Sequence, residues 1–245
     1  MNGNGIGLLQ ESSLHAALKA WYAQRGDELE VRVDGSIVDI VRGRLLIEIQ
    51  TSNFAALKRK IAKLTVHHRM RLVYPITQEK WIIKLDDGLR TQISRRKSPK
   101  RGRAEDVFTE LVSIASFVAR RNFSLELVFI REEEVWSRAH RNHQRPSWRR
   151  GGWARHDRRL LEVLDTRLFQ SPADYRVLLP ATDGQVFTSS DLAATRGVSR
   201  SQARRITYCL RHIGVITAHG QRGREVAYLE SPQPPHRTSK PTNSA

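Results

Sequence analysis

The stretch SIVDIVRGRLLIEIQ, residues 36–50, contains two runs of β-branched and aliphatic residues separated by Arg42-Gly43. Apolar runs on either side of a short turn signal are typical of a β-hairpin. One acid interrupts each run, Asp39 in the first and Glu48 in the second. Because a carboxylate is costly to bury without a compensating partner, these two positions are the first candidates for function.

A two-residue loop at Arg42-Gly43 would determine which residues face each other in this hairpin. It would place Asp39 opposite Leu46. Because directly opposed residues share a sheet face, Asp39, Glu48 and Gln50 would project from one face. The two carboxylates would be diagonal neighbours, roughly 7 to 8 Å apart at the backbone. Converging carboxylate oxygens suit a hard cation such as Mg²⁺ or Mn²⁺.

The hairpin lies within a longer order of predicted elements. An amphipathic helix over residues 8–22 precedes a strand over 28–33, and a helix capped by Asn53 follows the hairpin. A further strand, RLVYPI, covers residues 71–76 and ends at a proline. The order is therefore helix, three strands, helix, strand, which predicts an α/β fold.

This order, with an acid on the second strand and E-x-Q on the third, resembles the PD-(D/E)XK nuclease superfamily over about residues 8–76. The resemblance implies a restriction-endonuclease-like αβββαβ core with a mixed sheet and a Mg²⁺- or Mn²⁺-dependent deoxyribonuclease activity. It also implies that Asp39 and Glu48 bind the metal. Glu11, on the apolar stripe of the first helix, matches a glutamate that many family members place near the metal.

The third motif position departs from the family, because Gln50 stands where the family usually has lysine. Gln50 can position a water molecule but cannot supply positive charge. The metal, or a nearby basic residue such as Lys58, is the predicted substitute. The catalytic residues implied by the resemblance are thus Glu11, Asp39, Glu48 and Gln50.

The remainder of the front domain, residues 1–134, is predicted to contain strands at 80–85 and 124–130 and a helix at 104–121. Glu132-Glu133-Glu134 is interpreted as a solvated turn. Residues 135–170 are rich in arginine and tryptophan and are predicted to form a linker or arm.

Residues 171–232 resemble a winged helix-turn-helix domain, followed by a polar tail at 233–245 that we expect to be disordered. Ser199 and Gln202 have the spacing of a capping box at the start of a second helix, and a hairpin follows it as the wing. In such domains the start of the second helix enters the major groove. The candidate DNA-binding residues are Arg200, Gln202, Arg204, Arg205, Arg222 and Arg224.

The chain has 42 basic against 25 acidic residues, a formal charge of +17, which predicts a polyanionic partner. DNA, duplex or branched, is the expected partner, RNA is less favoured, and no membrane segment is expected. A homodimer would suit a double-strand cut. The single cysteine, Cys209, is predicted to be a buried structural thiol, and we expect a cytoplasmic, nucleoid-associated protein.

Three functions are compatible with these patterns. The first is a metal-dependent endonuclease targeted to DNA by the winged-helix domain. The second is a DNA-binding regulator that has kept the nuclease fold but lost activity, as Gln50 suggests. The third is an RNA-directed protein, because basic segments with tryptophans suit single strands.

Overall fold

The computed structural model describes residues 12–86, 88–138, 152–180 and 184–232. In the front part, the elements are α1 (Ser13–Tyr22), β1 (Glu28–Val33), β2 (Ser36–Arg42), β3 (Leu45–Ile49), α2 (Lys58–Leu64), β4 (Arg69–Leu85), β5 (Gln92–Lys97), α3 (Phe108–Leu111), α4 (Ala115–Val118), β6 (Phe123–Ser137) and β7 (Ala154–Phe169). In the back part, they are β8 (Phe187–Thr188), α5 (Ser189–Arg196), α6 (Arg200–Ile213), β9 (Ile216–Arg222) and β10 (Glu225–Glu230). Short 3₁₀ segments lie at Phe54–Leu57, Ala104–Val107, Val112–Ile114 and Pro172–Leu178.

The front part is built on a mixed sheet with the strand order β1-β2-β3-β4-β6-β7, and β5 pairs with the far end of β4. The first three strands form an antiparallel meander, while β3 and β6 both run parallel to β4. The predicted α/β class and mixed sheet are therefore confirmed. Parallel pairing requires both faces to be covered, and helices pack on each of them.

The loop of the β2–β3 hairpin differs from the prediction by one residue. Arg42 pairs with Leu45, so the two loop residues are Gly43 and Arg44 rather than Arg42 and Gly43. Gly43 has a φ of +56°, which favours glycine as the first residue of such a loop. Moving the loop by one residue shifts the pairing by two, so Asp39 is level with Glu48 rather than with Leu46.

β4 is one strand of 17 residues, where the sequence predicted two strands separated at Pro75. The backbone N–H of Gln50 donates to Val73 O (2.9 Å), just after β3 ends at Ile49. The nitrogen of Pro75, two residues further along the same edge, therefore lies beyond the end of β3. A proline is tolerated there because no ladder hydrogen bond is lost.

The predicted linker at 135–170 is wrong over 154–169, which form β7 and pair antiparallel with β6. The predicted turn at Glu132-Glu133-Glu134 is also wrong, because these residues lie inside β6 and Glu132 is fully buried. Cations compensate for the buried charge, with Arg158 donating to Glu132 and Lys80 donating to Glu134. These partners come from other strands, beyond the reach of a local pattern.

The helix predicted over 104–121 is divided into short 3₁₀ and α segments. The hydroxyl of Ser113 donates to the backbone O of Glu110 (2.7 Å), a side-chain bond that competes with regular helix pairing. Asn53 does not cap the helical segment that follows it at Phe54–Leu57, because it has a φ of +56° and its side chain makes no cap hydrogen bond.

Two buried clusters hold the layers together. On one face of the sheet, Leu14 and Leu18 of α1 pack with Ile47 and Ile49 of β3. The other face carries α2, α3 and α4, and its cluster continues into the back part through residues such as Ile206 of α6. Among the described residues, no helix is long and apolar enough to cross a membrane.

The boundary between the front and back parts also carries a polar contact. Glu105 is 3% exposed and accepts from Arg196 of α5 at 2.7 Å. Arg103 donates to the backbone O of Arg196 (2.7 Å). The two parts therefore share an apolar core with a buried ion pair at its edge. The sequence of the back part, two helices followed by a hairpin, is as predicted, and the tail at 233–245 lies outside the described residues.

The shared core predicts how a mutation in α6 acts on the front part. Ile206→Ala should lower the free energy of unfolding by about 2 to 5 kcal/mol because it leaves a cavity in this core. All five tryptophans lie between residues 21 and 153, so tryptophan fluorescence reports the front part alone. In urea, the fluorescence transition of Ile206→Ala should move to lower denaturant, whereas the exposed control Arg204→Ala should stay within about 0.5 kcal/mol of wild type. An unchanged transition for Ile206→Ala would contradict the shared core.

Candidate active site

Asp39 and Glu48 meet where β2 and β3 separate. The regular pairing runs as far as Ile40 with Ile47, and the next position in the register brings Asp39 level with Glu48. At this position the carboxylate of Asp39 accepts the backbone N–H of Ile49 (2.8 Å). A side chain thus takes the place of a backbone acceptor, and both acids lie at the carboxyl end of β3.

A histidine from α1 holds the carboxylate of Asp39. His15 Nε2 lies 3.2 Å from Asp39 Oδ2 and 2.9 Å from the backbone O of Ile49. Both neighbours are acceptors, so Nε2 must carry a hydrogen. Burial raises the pKa of Asp39, but the hydrogen bonds from His15 and Ile49 outweigh burial and leave this pKa below its ordinary value. Asp39 is therefore a carboxylate at neutral pH.

Glu48 is 6% exposed and is paired with Lys60 of α2. The ammonium of Lys60 donates to Glu48 Oε2 and also to the backbone O of Ile37. Burial, and then the negative charge of Asp39, raise the pKa of Glu48 to about 7, while Lys60 opposes this rise only in part. The pair of acids is therefore short of positive charge even with Lys60 in place.

The other residues implied by the family resemblance do not join this pair. The side-chain amide of Gln50 donates to the backbone O of Ser52 and, at 3.4 Å, of Asn53, so it is directed toward the loop after β3. Lys58 is exposed, and Lys60 is the lysine that contacts the acids. Glu11 lies outside the described residues.

Lys60 and His15 are the site residues that the sequence analysis missed. Lys60 is three residues after Leu57 and four before Leu64, so it falls on the buried stripe of α2. His15 is three residues before Leu18, which is buried on α1, so it too lies beside a buried helical position. A polar residue on an apolar helical stripe was therefore the signal that could have identified both.

The donors present suit a small divalent cation. Within the described ranges, no group of three or more His, Cys, Asp and Glu side chains is arranged to hold a metal, and the candidate ligands there are Asp39 and Glu48. Mg²⁺ commonly takes one or two carboxylates, with water and substrate phosphate as its other ligands. Both hydrogen bonds that the described residues make to the Asp39 carboxylate fall on Oδ2, which leaves Oδ1 for a cation. Asp39 and Glu48 therefore fit Mg²⁺ or Mn²⁺.

A polar cleft opens beside β4, and neither Asp39 nor Glu48 is among the described residues that line it. It has a volume of about 200 Å³, and its wall includes Thr51, three residues after Glu48, and Tyr74, which follows the end of β3–β4 pairing. Four cations also line it: Lys80, Lys100, Arg155 and Arg158. Burial raises the pKa of Tyr74 to about 12, so its hydroxyl is protonated at neutral pH.

The predicted DNA-binding residues of the back part divide into two groups. Gln202 is directed toward the front part, where its amide donates to the backbone O of Glu105 and its oxygen accepts from Thr109 at 3.3 Å. The remaining five are exposed, although Arg222 is paired with Asp191. They are Arg200, Arg204, Arg205, Arg222 and Arg224.

Cys209 is fully buried in α6, as predicted for a structural thiol. Burial raises its pKa to about 12. A thiol in this environment is a poor nucleophile, because reactivity requires the thiolate.

Comparison with known proteins identifies the family. Residues 12–170 match the family described as "Domain of unknown function (DUF8091)", a range that begins just before α1 and ends just after β7. A protein of Treponema pallidum (strain Nichols), described as an uncharacterized protein, is 31% identical over 239 residues, covering 96% of this chain and 92% of that protein. The chain therefore belongs to the DUF8091 family. No solved structure gives a significant match.

The raised pKa of Glu48 predicts a stability that depends on pH. Folded Glu48 has a pKa of about 7, whereas the unfolded residue titrates near its ordinary value of 4.5. The folded state therefore binds the proton more tightly, and the wild type loses stability as the pH rises through this range. In EDTA, Glu48→Gln should be more stable than wild type at pH 8, by up to about 3 kcal/mol, and equal to it below about pH 4.5.

The control is Glu28→Gln, which changes an exposed glutamate of the same sheet and should follow the wild type at every pH. Urea unfolding between pH 4 and pH 9 measures both differences. If Glu48→Gln were less stable than wild type at pH 8, Lys60 would compensate the charge of Glu48 fully and the site would lack no cation.

Proposed function

We propose that this protein is a metal-dependent nuclease that hydrolyses a phosphodiester bond of DNA. The observation that carries this proposal is the pair of acids, half-buried Asp39 and buried Glu48, level with each other where β2 and β3 separate. Glu48 is short of positive charge, and a divalent cation supplies it. The pattern of the front part, with these acids on its second and third strands, also supports a PD-(D/E)XK nuclease relationship.

In this proposal each side chain of the site has a separate task. Asp39 and Glu48 bind Mg²⁺ or Mn²⁺, and His15 fixes the orientation of the Asp39 carboxylate. A bound divalent cation lowers the pKa of a water molecule and stabilises negative charge that develops on the phosphate oxygens. The chain itself supplies the acids in a fixed geometry, so little reorganisation is needed when the substrate binds.

Lys60 supplies the positive charge that Gln50 cannot. Its ammonium contacts Glu48, and it therefore lies where the negative charge of a phosphate would meet the acids. A lysine is a compact point charge on a flexible stem, so it can pair with Glu48 before the substrate binds and with a phosphate oxygen afterwards.

The back part supports DNA as the substrate. Its two helices and hairpin fit a winged-helix domain, in which the start of α6 would meet the major groove. Arg200, Arg204 and Arg205 are exposed on α6, and Gln202 instead contributes to the docking of α6 on the front part. The formal charge of +17 also favours a polyanionic ligand.

The proposal is tested by cleavage of plasmid and branched DNA with Mg²⁺ or Mn²⁺. Asp39→Asn and Glu48→Gln should each reduce cleavage by at least about a hundredfold, because the site loses a metal ligand. Lys60→Ala should reduce it by about tenfold to a hundredfold. Lys58→Ala removes the same charge from an exposed position of the same helix and should cleave like wild type.

Asp39→Asn, Glu48→Gln and Lys58→Ala should bind DNA as wild type does, because none alters the exposed arginines of α6 or the phosphate contact proposed for Lys60. Equal cleavage by wild type and the two acid variants would show that any nuclease activity has another source. DNA binding by the wild type without cleavage of any substrate would reject the nuclease.

A second candidate is a DNA-binding regulator with an inactive nuclease fold. The observation that favours it is the contact of Lys60 with both Glu48 and Ile37, together with the turning of Gln50 toward the loop. Lys60 would then be a permanent substitute for the metal. In that case Lys60→Ala should destabilise the protein, with or without Mg²⁺, and leave DNA binding by α6 intact.

A further inference from the structure

The polar cleft is formed by a break in one edge of the main sheet. β4 pairs with β3 up to Val73 and with β5 from Trp81 onward. Between these points the segment after β5 closes against β4, with the N–H of Gly102 donating to Thr77 O at 2.7 Å. A Cβ at position 102 would lie 2.6 Å from this oxygen, so the close approach requires glycine. Beside this contact lies the cleft of about 200 Å³, which Gly102 and Thr77 both line.

The charges around the cleft are arranged in two layers. The side chains of Glu132 and Glu134 are 0% and 7% exposed and form the inner layer. Arg158 donates to Glu132 at 2.9 Å and Lys80 to Glu134 at 2.7 Å, and their side chains are 17% and 21% exposed. Arg155 is 49% exposed. The cations therefore lie between the buried acids and the solvent.

The inner acids hold the cations in fixed positions without turning the cleft negative. The cleft presents Lys80, Lys100, Arg155 and Arg158 with the hydroxyls of Thr51 and Thr77, against the two acids that also line it, Asp106 and Glu134. Arginine and lysine donors with neighbouring hydroxyls recognise phosphate oxygens. The volume is sufficient for a phosphate group.

We infer that this cleft binds one phosphate group of a nucleic-acid strand whose neighbouring phosphodiester lies at Asp39 and Glu48. The inference rests on the proposed function, which puts the substrate strand at the two acids. Thr51 in the cleft wall is only three residues after Glu48 in the chain, which links the cleft to the acids. It gives the substrate strand two anchoring points, the acids and the cleft. The phosphate comes either from a strand terminus or from within the strand.

The test uses the full chain in EDTA, so that binding is measured without cleavage. Labelled single-stranded and duplex oligonucleotides, each with a 5′-phosphate or a 5′-hydroxyl, are titrated with wild type, Lys100→Gln and Arg155→Gln. Each variant should bind about tenfold more weakly and show a salt dependence reduced by about one phosphate contact. Arg96→Gln removes an exposed arginine of β5 outside the cleft and should lose less than about twofold.

The two sources of the phosphate give different results. A preference of the wild type for 5′-phosphorylated strands that both variants lose assigns the cleft to a terminal phosphate. Equal binding of both strands, with the same loss in the variants, assigns it to an internal phosphodiester. Inorganic phosphate at millimolar concentration should compete with the oligonucleotide for the wild type and not for a variant that combines Lys100→Gln with Arg155→Gln.

Binding by both variants that matches wild type would overturn the inference, as would an equal loss in Arg96→Gln. Thermal melting checks that each variant is folded. The outcome is separate from that of the cleavage assay, because weaker binding by the variants of a protein that never cuts DNA would support the cleft and reject the nuclease. If the wild type cuts DNA and the cleft variants bind as it does, the nuclease is supported and the phosphate site in the cleft is rejected.

Discussion

Glu48, Glu126, Glu132 and Glu134 are all buried in the main sheet, and each faces a cation that another element supplies. Their partners are Lys60, Arg71, Arg158 and Lys80. For the three pairs of β6, removing one member leaves an uncompensated buried charge, which typically costs about 3 to 5 kcal/mol. Charge compensation therefore determines how β4, β6 and β7 pair beyond the core, how α2 lies on the sheet, and which residues can serve a ligand.

Glu48 differs from the other buried acids in how far it is compensated. Burial raises the pKa of Glu134, but bonds and charges from Lys80 and Arg155 outweigh burial and bring this pKa below its ordinary value. For Glu48, burial and the neighbouring Asp39 outweigh Lys60, and the pKa rises to about 7. Glu134 of β6 is thus fully compensated by its cations, whereas Glu48 of β3 is compensated only in part by Lys60. Strongly perturbed acids in a cleft are typical of functional sites.

Local sequence patterns predicted the meander, the α/β class and the hairpin that carries Asp39 and Glu48, because each depends on neighbouring residues. They failed where the partner is distant in sequence. Glu132 looked like part of a solvated turn because nothing near it shows that Arg158 will pair with it. For the same reason Arg158 was assigned to a linker. Lys60 was overlooked because a charged residue was not expected on the apolar stripe of α2. Glu11 lies outside the described residues.

The most direct test of the central claim, that Asp39 and Glu48 form a site for a divalent cation, is anomalous diffraction from crystals of the wild type and of Glu48→Gln soaked in Mn²⁺. We predict a manganese peak in contact with both carboxylates of the wild type, with the Lys60 ammonium moved away from Glu48, and no peak in the variant. A fully soaked wild-type crystal in which Lys60 still pairs with Glu48 and no manganese lies beside Asp39 would contradict the account.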